Sequence, residues 1–593
     1  MHSGIRAILV RLPWPHPAVA RLPMKHIPAP RVRLVIAVVS FLLGAELILR
    51  VVGYGNPATR PDPFFGFEGA QPVFELRDIP GEGRFYVPAP RRSSITQRFP
   101  AQKSANTYRV FTLGGSTTYG IPYGPDAAFS FWLNERLSRL YPQKNIEVIN
   151  AGVPGYGSAR VLQILEEVAA YQPDLLVVYT GQNETRDARF HYWELKRGHF
   201  RARLLHWMSR SRLLYLTYET YVSVVSLALG PRQTSYAGAM IEGILSAPFS
   251  RTTFKSFDYL AVPPIVDEQQ DAGQLNETRA KRVLKSILRV GVIPISSAEV
   301  SSIFEQNVER MIEAARRNGI KIAFLRNAMN PKFRDVLSIP PVTISSKSFG
   351  EEAKRAWGLN YANGIQNMKE GKWQEALRDF ERVRGLCPTC HDSLLLLYQG
   401  RCLEELGHYE EARREYESRF PAEDLELNDI LDRLTRKHQI ALIDVYGLLK
   451  AASANGIVGY ENFFTDTVHL TLDANKLIGA ALTDFIRKEG YIRDSALATP
   501  DATAMAARTT PAGDPGLARY DTAAVTTALG WASFNNGKVD EALDRGRKAV
   551  AQDRAEIQAH LLLGYVYTKL GRLDDARSEW ETLKQIYRNL SRR

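Results

Sequence analysis

"RVFTLGGSTTYG", residues 109–120, decides how the chain is read. Val110, Phe111 and Leu113 are apolar and favour a strand, and two glycines then stop the run and present Ser116. A serine so placed is either a nucleophile on a strand-to-helix turn or a side chain that caps the next helix. The nucleophile reading needs three further parts elsewhere in the chain: a base, a group that orients the base, and donors for an oxyanion.

Outward from this stretch, short apolar runs alternate with helical segments. "YRVFTL" (108–113), "IEVINA" (146–151) and "DLLVVYT" (174–180) are followed by "IKIAFLRN" (320–327) and "QIALIDVY" (439–446). Helical patterns such as "FSFWLNERLSRLY" (129–141) and "SIFEQNVERMIEAARRNG" (302–319) separate them. This alternation predicts a parallel sheet covered on both faces, with its ligand site at the C-terminal strand ends. Each missing part has a candidate at such an end. Gly155 lies in "NAGVPGYGS" (150–158) and offers an unhindered backbone N–H; Asn183 lies in "YTGQNE" (179–184) and offers a side-chain amide. In "FFTDTVHLTLDANKLIGAAL" (463–482), Asp466 stands three residues before His469. A turn brings i and i+3 to one side, where the carboxylate holds the imidazole Nδ1–H and leaves Nε2 for the serine.

Those four segments, in the order Ser, Gly, Asn, His, resemble the conserved blocks of the SGNH, or GDSL-type, hydrolases. The resemblance covers roughly 104–188, 296–345 and 421–490. It implies a flavodoxin-like three-layer α/β sandwich, with Ser116 as nucleophile, His469 as base and Asp466 as its orienter. It also implies an oxyanion hole from the N–H groups of Ser116 and Gly155 and the amide of Asn183, and neither metal nor cofactor. The family's first block usually reads Gly-Asp-Ser; here Gly115 stands in the aspartate position. Taken singly, the same residues have plainer readings: Ser116 a helix cap, Gly155 and Asn183 turn residues, His469 a polar residue at a helix start.

A second pattern is periodic. Gly364, Ala376, Phe380 and Pro388 are followed by Gly400, Ala412 and Tyr416, and near the C-terminus Gly530 and Ala542 recur as Gly564 and Ala576. The pattern resembles tetratricopeptide repeats, in which small residues let paired helices approach closely, and Gly546 departs from it at a bulky position. The repeats imply a protein partner.

The formal charge is +12, and six of those charges (Arg6, Arg11, Arg21, Lys25, Arg31 and Arg33) lie before any acidic residue. No basic stripe interleaved with aromatics points to nucleic acid. Behind the basic arm comes "LVIAVVSFLLGAELILRVVGY", residues 34–54, about 31 Å as a helix and so the length of one hydrocarbon core. Glu46 and Arg50 interrupt it four residues apart on one face. An uncleaved single-pass membrane anchor with the remainder extracytoplasmic, on the periplasmic side, is expected; a cleaved signal peptide and a buried helix are the rival readings. A second apolar segment, 212–230, reads as a buried or membrane-surface helix, because a second span would split the sheet.

The expected organisation is a basic arm (1–33), the anchor (34–54), a juxtamembrane spacer (55–103), and a hydrolase domain at 104–345 with a helical insertion at 185–300. Inserted repeats (350–420), the end of the hydrolase domain (421–490), a linker (491–520) and C-terminal repeats (521–590) follow. "FHYWELKRGHF" (190–200) is either a lid or cleft segment or ordinary packing. "CPTCH" (387–391) matches a haem-attachment motif but straddles a repeat turn; a disulfide among Cys387, Cys390 and Cys402, a metal site and free thiols are the other readings. Function is expected to be cleavage of an ester on a cell-envelope glycan or lipid. An O-acyltransferase, and a periplasmic repeat scaffold with a non-catalytic hydrolase domain, are the alternatives.

Overall fold

The computed structural model describes residues 29–54, 72–89, 95–185, 211–214, 216–217, 220, 296–333, 351–386, 393–492 and 521–590. The aromatic run at 190–200, the "CPTCH" motif and nearly all of the 491–520 linker lie outside them, as do Pro388 and most of the apolar segment 212–230.

In a first unit, helix α1 (Ala29–Val52) covers the apolar run and starts before it. Leu34, Phe41 and Val51 are 65%, 73% and 79% exposed. Among the described residues no helix is long and apolar enough to cross a membrane, so the expected span at 34–54 is not met by them. The run is broken by Glu46 and Arg50, which pair at 2.7 Å. Glu46 also accepts from the Arg212 and Leu213 N–H groups and the Ser211 hydroxyl, and Arg212 Nη1 donates to the Leu49 carbonyl at 2.7 Å. The start of the second apolar segment is thus capped by α1.

The second unit holds the sheet. Strands β1 (Phe74–Ile79), β2 (Gly83–Pro88) and β3 (Phe99–Pro100) form an antiparallel sheet in chain order. Within the expected spacer, residues 72–89 and 95–100 are therefore folded onto the domain. Phe74 and Phe99 pack edge-on against Phe111, and Glu167 accepts from the Val73 and Phe74 N–H groups. Aromatic burial, which charge and proline content hid, makes this segment part of the core.

After it come β4 (Thr107–Gly114), the short helix α2 (Ser116–Tyr119), α3 (Phe129–Leu140), β5 (Asn145–Gly152), α4 (Ser158–Val168) and β6 (Leu175–Tyr179). Helix α5 (Ser297–Arg317) leads into β7 (Lys321–Arg326). Two helical pairs follow, α6 (Glu351–Lys369) with α7 (Trp373–Leu386) and α8 (Ser393–Glu405) with α9 (Tyr409–Glu417). The chain then returns through α10 (Ala422–His438), β8 (Ala441–Asp444), α11 (Val445–Ala452) and α12 (Leu472–Lys488). Two last pairs are α13 (Ala523–Asn535) with α14 (Val539–Gln552), and α15 (Ile557–Lys569) with α16 (Leu573–Leu590).

The main sheet is parallel with strand order β5-β4-β6-β7-β8. Alternate residues feed two cores. Phe111, Leu113, Ile149, Leu176, Val178 and Phe324 face one that includes side chains of α4, α5 and α10. Val110, Val148, Val177, Tyr179 and Leu325 face the other, with α3, α11 and α12. This period-two division gives three layers. Because β5 and β6 flank β4, the chain reverses direction across the sheet at the end of β4, where Ser116 follows.

Arg109, inside β4, is fully buried. It meets Glu147 at 2.6 Å, donates to the Tyr171 and Pro100 carbonyls, and lies over the Phe99 ring. Arg109→Met would leave the Glu147 carboxylate and two carbonyls without these donors. It is expected to cost about 3–5 kcal/mol, read as a shift of the urea unfolding midpoint.

In the helical pairs the small residues do what their spacing predicts. Ala376, Ala412, Ala542 and Ala576 are fully buried. A Cβ on Gly364 or Gly400 would lie 2.6 or 2.5 Å from the ring of Phe380 or Tyr416. At Gly546 the volume of the missing side chain is taken by Leu563, which a Cβ would approach to 2.7 Å. Cys402 is a free, buried thiol, pushed up to about 12 chiefly by burial; Cys387 and Cys390 lie outside the described residues.

Candidate active site

Ser116 opens α2, but it does not cap it. The capping position belongs to Gly115, and no side chain accepts there. The turn depends on the glycine before it: a Cβ on Gly114 would lie 2.1 Å from both Thr118 Oγ1 and the Tyr179 carbonyl. The backbone therefore bends where no side chain fits, and the Ser116 hydroxyl is left free to meet a distant partner.

That partner is His469, whose Nε2 lies 2.7 Å from Ser116 Oγ. Its Nδ1 lies 2.5 Å from Asp466 Oδ2. Asp466 Oδ1 accepts from the Val468 and His469 N–H groups at 2.9 and 2.7 Å, so both carboxylate oxygens are engaged. The loop closes on itself through a bridge between Phe464 and Leu470 and a bond from the Thr465 N–H to the His469 carbonyl. Thr471, not His469, caps α12.

The pair is charged in a consistent direction. Enclosure by protein would raise the Asp466 pKa, but the imidazole charge and the hydrogen bonds outweigh it and hold the carboxyl below its usual value. For His469 burial favours the neutral ring, yet Asp466 wins and raises the pKa above the ordinary value of 6.5.

Asn183 and Gly155 follow the ends of β6 and β5, and Asn183 lies against Gly115, next to Ser116. Asn183 Nδ2 donates to the Tyr156 carbonyl at 3.1 Å. The same nitrogen is the nearest atom, at 2.6 Å, to where a Cβ on Gly115 would stand. Gly155 has φ of 79°, a conformation suited to glycine. Its carbonyl accepts from Arg160 Nη2, and the Arg160 guanidinium stacks 4.0 Å over Tyr156. Gly115 is thus the residue that admits the Asn183 amide. Gly115→Ala is expected to displace that amide and lower kcat/KM for a simple ester about 10- to 100-fold, with little change in fold, checked by steady-state kinetics and circular dichroism.

Two polar side chains were not singled out from the sequence. Glu184, 5% exposed, accepts from the Ser158 N–H and hydroxyl, both at 2.7 Å, and so ties the Asn183 turn to the start of α4. Asn330, 3% exposed, donates to the Asp466 carbonyl at 3.1 Å. Glu184 adjoins Asn183 in "TGQNE" and could have been noticed; "NAMNPK" (327–332) carries no such signal.

Residues 112–221 match the GDSL-like Lipase/Acylhydrolase family, and residues 518–583 match a tetratricopeptide repeat. No curated protein matches the chain. Among solved structures, it is similar to the acetyl xylan esterase AlAXEase, at 9% identity, with 64% of this chain and 99% of that chain covered and a TM-score of 0.27.

 A lipase/acylhydrolase from Enterococcus faecalis is 12% identical, with 64% of this chain and 96% of that chain covered and a TM-score of 0.26. A GDSL-like lipase from Bacteroides thetaiotaomicron is 10% identical, with 64% and 88% covered and a TM-score of 0.24.

Proposed function

The chain carries a GDSL-like lipase/acylhydrolase segment and tetratricopeptide repeats, and on that premise we propose that it is a membrane-attached serine esterase acting on an ester of a cell-envelope glycan or lipid. One observation carries the reading: the hydrogen-bonded series Ser116, His469, Asp466, drawn from residues 353 apart in sequence. Ser116 Oγ attacks the ester carbonyl while His469 Nε2 takes its proton. Asp466 holds Nδ1–H and stabilises the imidazolium that forms. The N–H groups of Ser116 and Gly155 and the Asn183 amide receive the developing oxyanion. His469 then protonates the leaving alcohol, and water, deprotonated by the same ring, releases the acid.

Envelope placement is supported by the basic arm, the apolar run at 34–54 and the exposed apolar side chains of α1. The repeats are read as the site of a protein partner. The test uses the purified full chain in detergent with p-nitrophenyl acetate and an acetylated glycan. Release of p-nitrophenol and of acetate supports an esterase. Acetyl transfer to an added sugar without net release of acetate would favour a transferase, and no turnover of either would favour a scaffold. Recovery of the native protein in the carbonate-washed membrane pellet supports attachment; recovery in the supernatant would refute it.

A further inference from the structure

One short segment lies between the inserted helical pairs and the base-bearing loop and is bonded to both. Residues 327–333 leave β7 at the sheet's C-terminal edge. On one side this segment holds the loop that carries the acid and base. Asn330 donates through Nδ2 to the Asp466 carbonyl and through its N–H to the Thr467 carbonyl, at 3.1 and 2.8 Å. Asn330 Oδ1 accepts from the Lys332 N–H at 2.9 Å, which fixes the amide's orientation.

On the other side the segment is gripped by the inserted helices. Lys332 Nζ meets Glu404 of α8 at 2.9 Å and Glu461 at 2.7 Å, with its side chain only 10% exposed. Tyr416 of α9 donates its hydroxyl to Glu404 at 2.7 Å and places its ring 5.4 Å from the ammonium. Arg419, just past α9, donates to the Pro331 and Phe333 carbonyls. Glu461 itself lies five residues before Asp466, so one buried ammonium links the inserted pairs both to residues 327–333 and to the segment leading to the base.

We propose that the inserted helical pairs brace the Asp466–His469 loop, with Lys332 as the positioning residue that transmits their hold. The inference rests on the serine-esterase reading. Lys332 does not reach the reacting atoms; it acts through Asn330 and Glu461 on where His469 Nε2 stands. Two carboxylates share one enclosed cation, and the Tyr416 hydroxyl holds one of them, so removing the cation takes from both glutamates their common partner and loosens the joint. A displaced base costs rate more than substrate binding.

The experiment uses the full chain and p-nitrophenyl acetate, with a fluorophosphonate to count active sites. Lys332→Met and Glu404→Gln are each expected to lower kcat per labelled site about tenfold, with KM held within about twofold. The fraction of chains that finally label should stay that of wild type, which a merely unfolded population would not allow. Lys332→Arg, which keeps the charge, should recover most of the rate. Arg384→Gln removes an ion pair with Glu415 elsewhere on the same pairs and should leave kcat unchanged. If Lys332→Met does not fold, the near-isosteric Glu404→Gln decides alone. Wild-type kcat per labelled site in Glu404→Gln, or an equal loss in Arg384→Gln, would overturn the brace. Failure of the underlying reading looks different: turnover would then survive Ser116→Ala, whatever the Lys332 variants did.

Discussion

Ser116→Ala is expected to lower kcat for a simple ester by about 10⁵-fold or more while leaving KM and the unfolding midpoint nearly unchanged. The size follows from what remains. No neighbouring hydroxyl can take over: Thr117 and Thr118 are buried, and the Thr118 hydroxyl is committed to the Tyr179 carbonyl. Only water and the oxyanion donors would be left to work on the ester. The small structural effect follows equally directly. Ser116 caps nothing, and its hydroxyl makes one bond, to His469, worth about 1 kcal/mol. A large kinetic loss with a small stability loss separates a nucleophile from a packing residue. Steady-state kinetics with a urea titration on the same preparation check it.

Asp466→Asn is expected to cost about 10⁴-fold in kcat and to move the pH profile as well. The carboxylate accepts from Nδ1–H and from two backbone N–H groups. An amide keeping those backbone bonds through its oxygen turns its nitrogen toward Nδ1. That places the ring proton on Nε2, the atom that must accept from Ser116. The pH effect has a defined sign. Catalysis needs neutral His469, so activity rises with pH through the folded-state pKa. In the native protein burial lowers that pKa but Asp466 raises it further, to above 6.5. The acid limb of kcat/KM should therefore have its midpoint above 6.5. Without the carboxylate only the lowering by burial is left, and the midpoint of the residual activity should fall. A midpoint that stays in place would mean that another group sets the limb.

The elements that build the site were legible because their signals are local. The apolar runs expected at 108–113, 146–151 and 174–180 correspond to β4, β5 and β6 within a residue or two. The run at 439–446 yields only the four residues of β8, since Asp444 turns to cap α11 by accepting from the Gly447 N–H. The structure brings together Ser116, Asp466 and His469, and it sets Asn183 against Gly115. What escaped the sequence depends on partners far along the chain. Phe74 is held by Glu167, 93 residues on, and its aromatic neighbours lie on other elements, so no window of residues marks Phe74 and Phe99 as core. Asn330 acts on a carbonyl 136 residues away. Gly115 looked like a loss of the family's aspartate; in three dimensions it is the space the Asn183 amide uses.

Mapping a fluorophosphonate adduct by peptide mass spectrometry tests the central claim most directly. The full-length protein should carry one adduct, on Ser116, formed quickly in the wild type, slowly in His469→Ala and not at all in Ser116→Ala. An adduct on any other residue, or none on a folded wild-type chain, would contradict the assignment of Ser116 as the nucleophile.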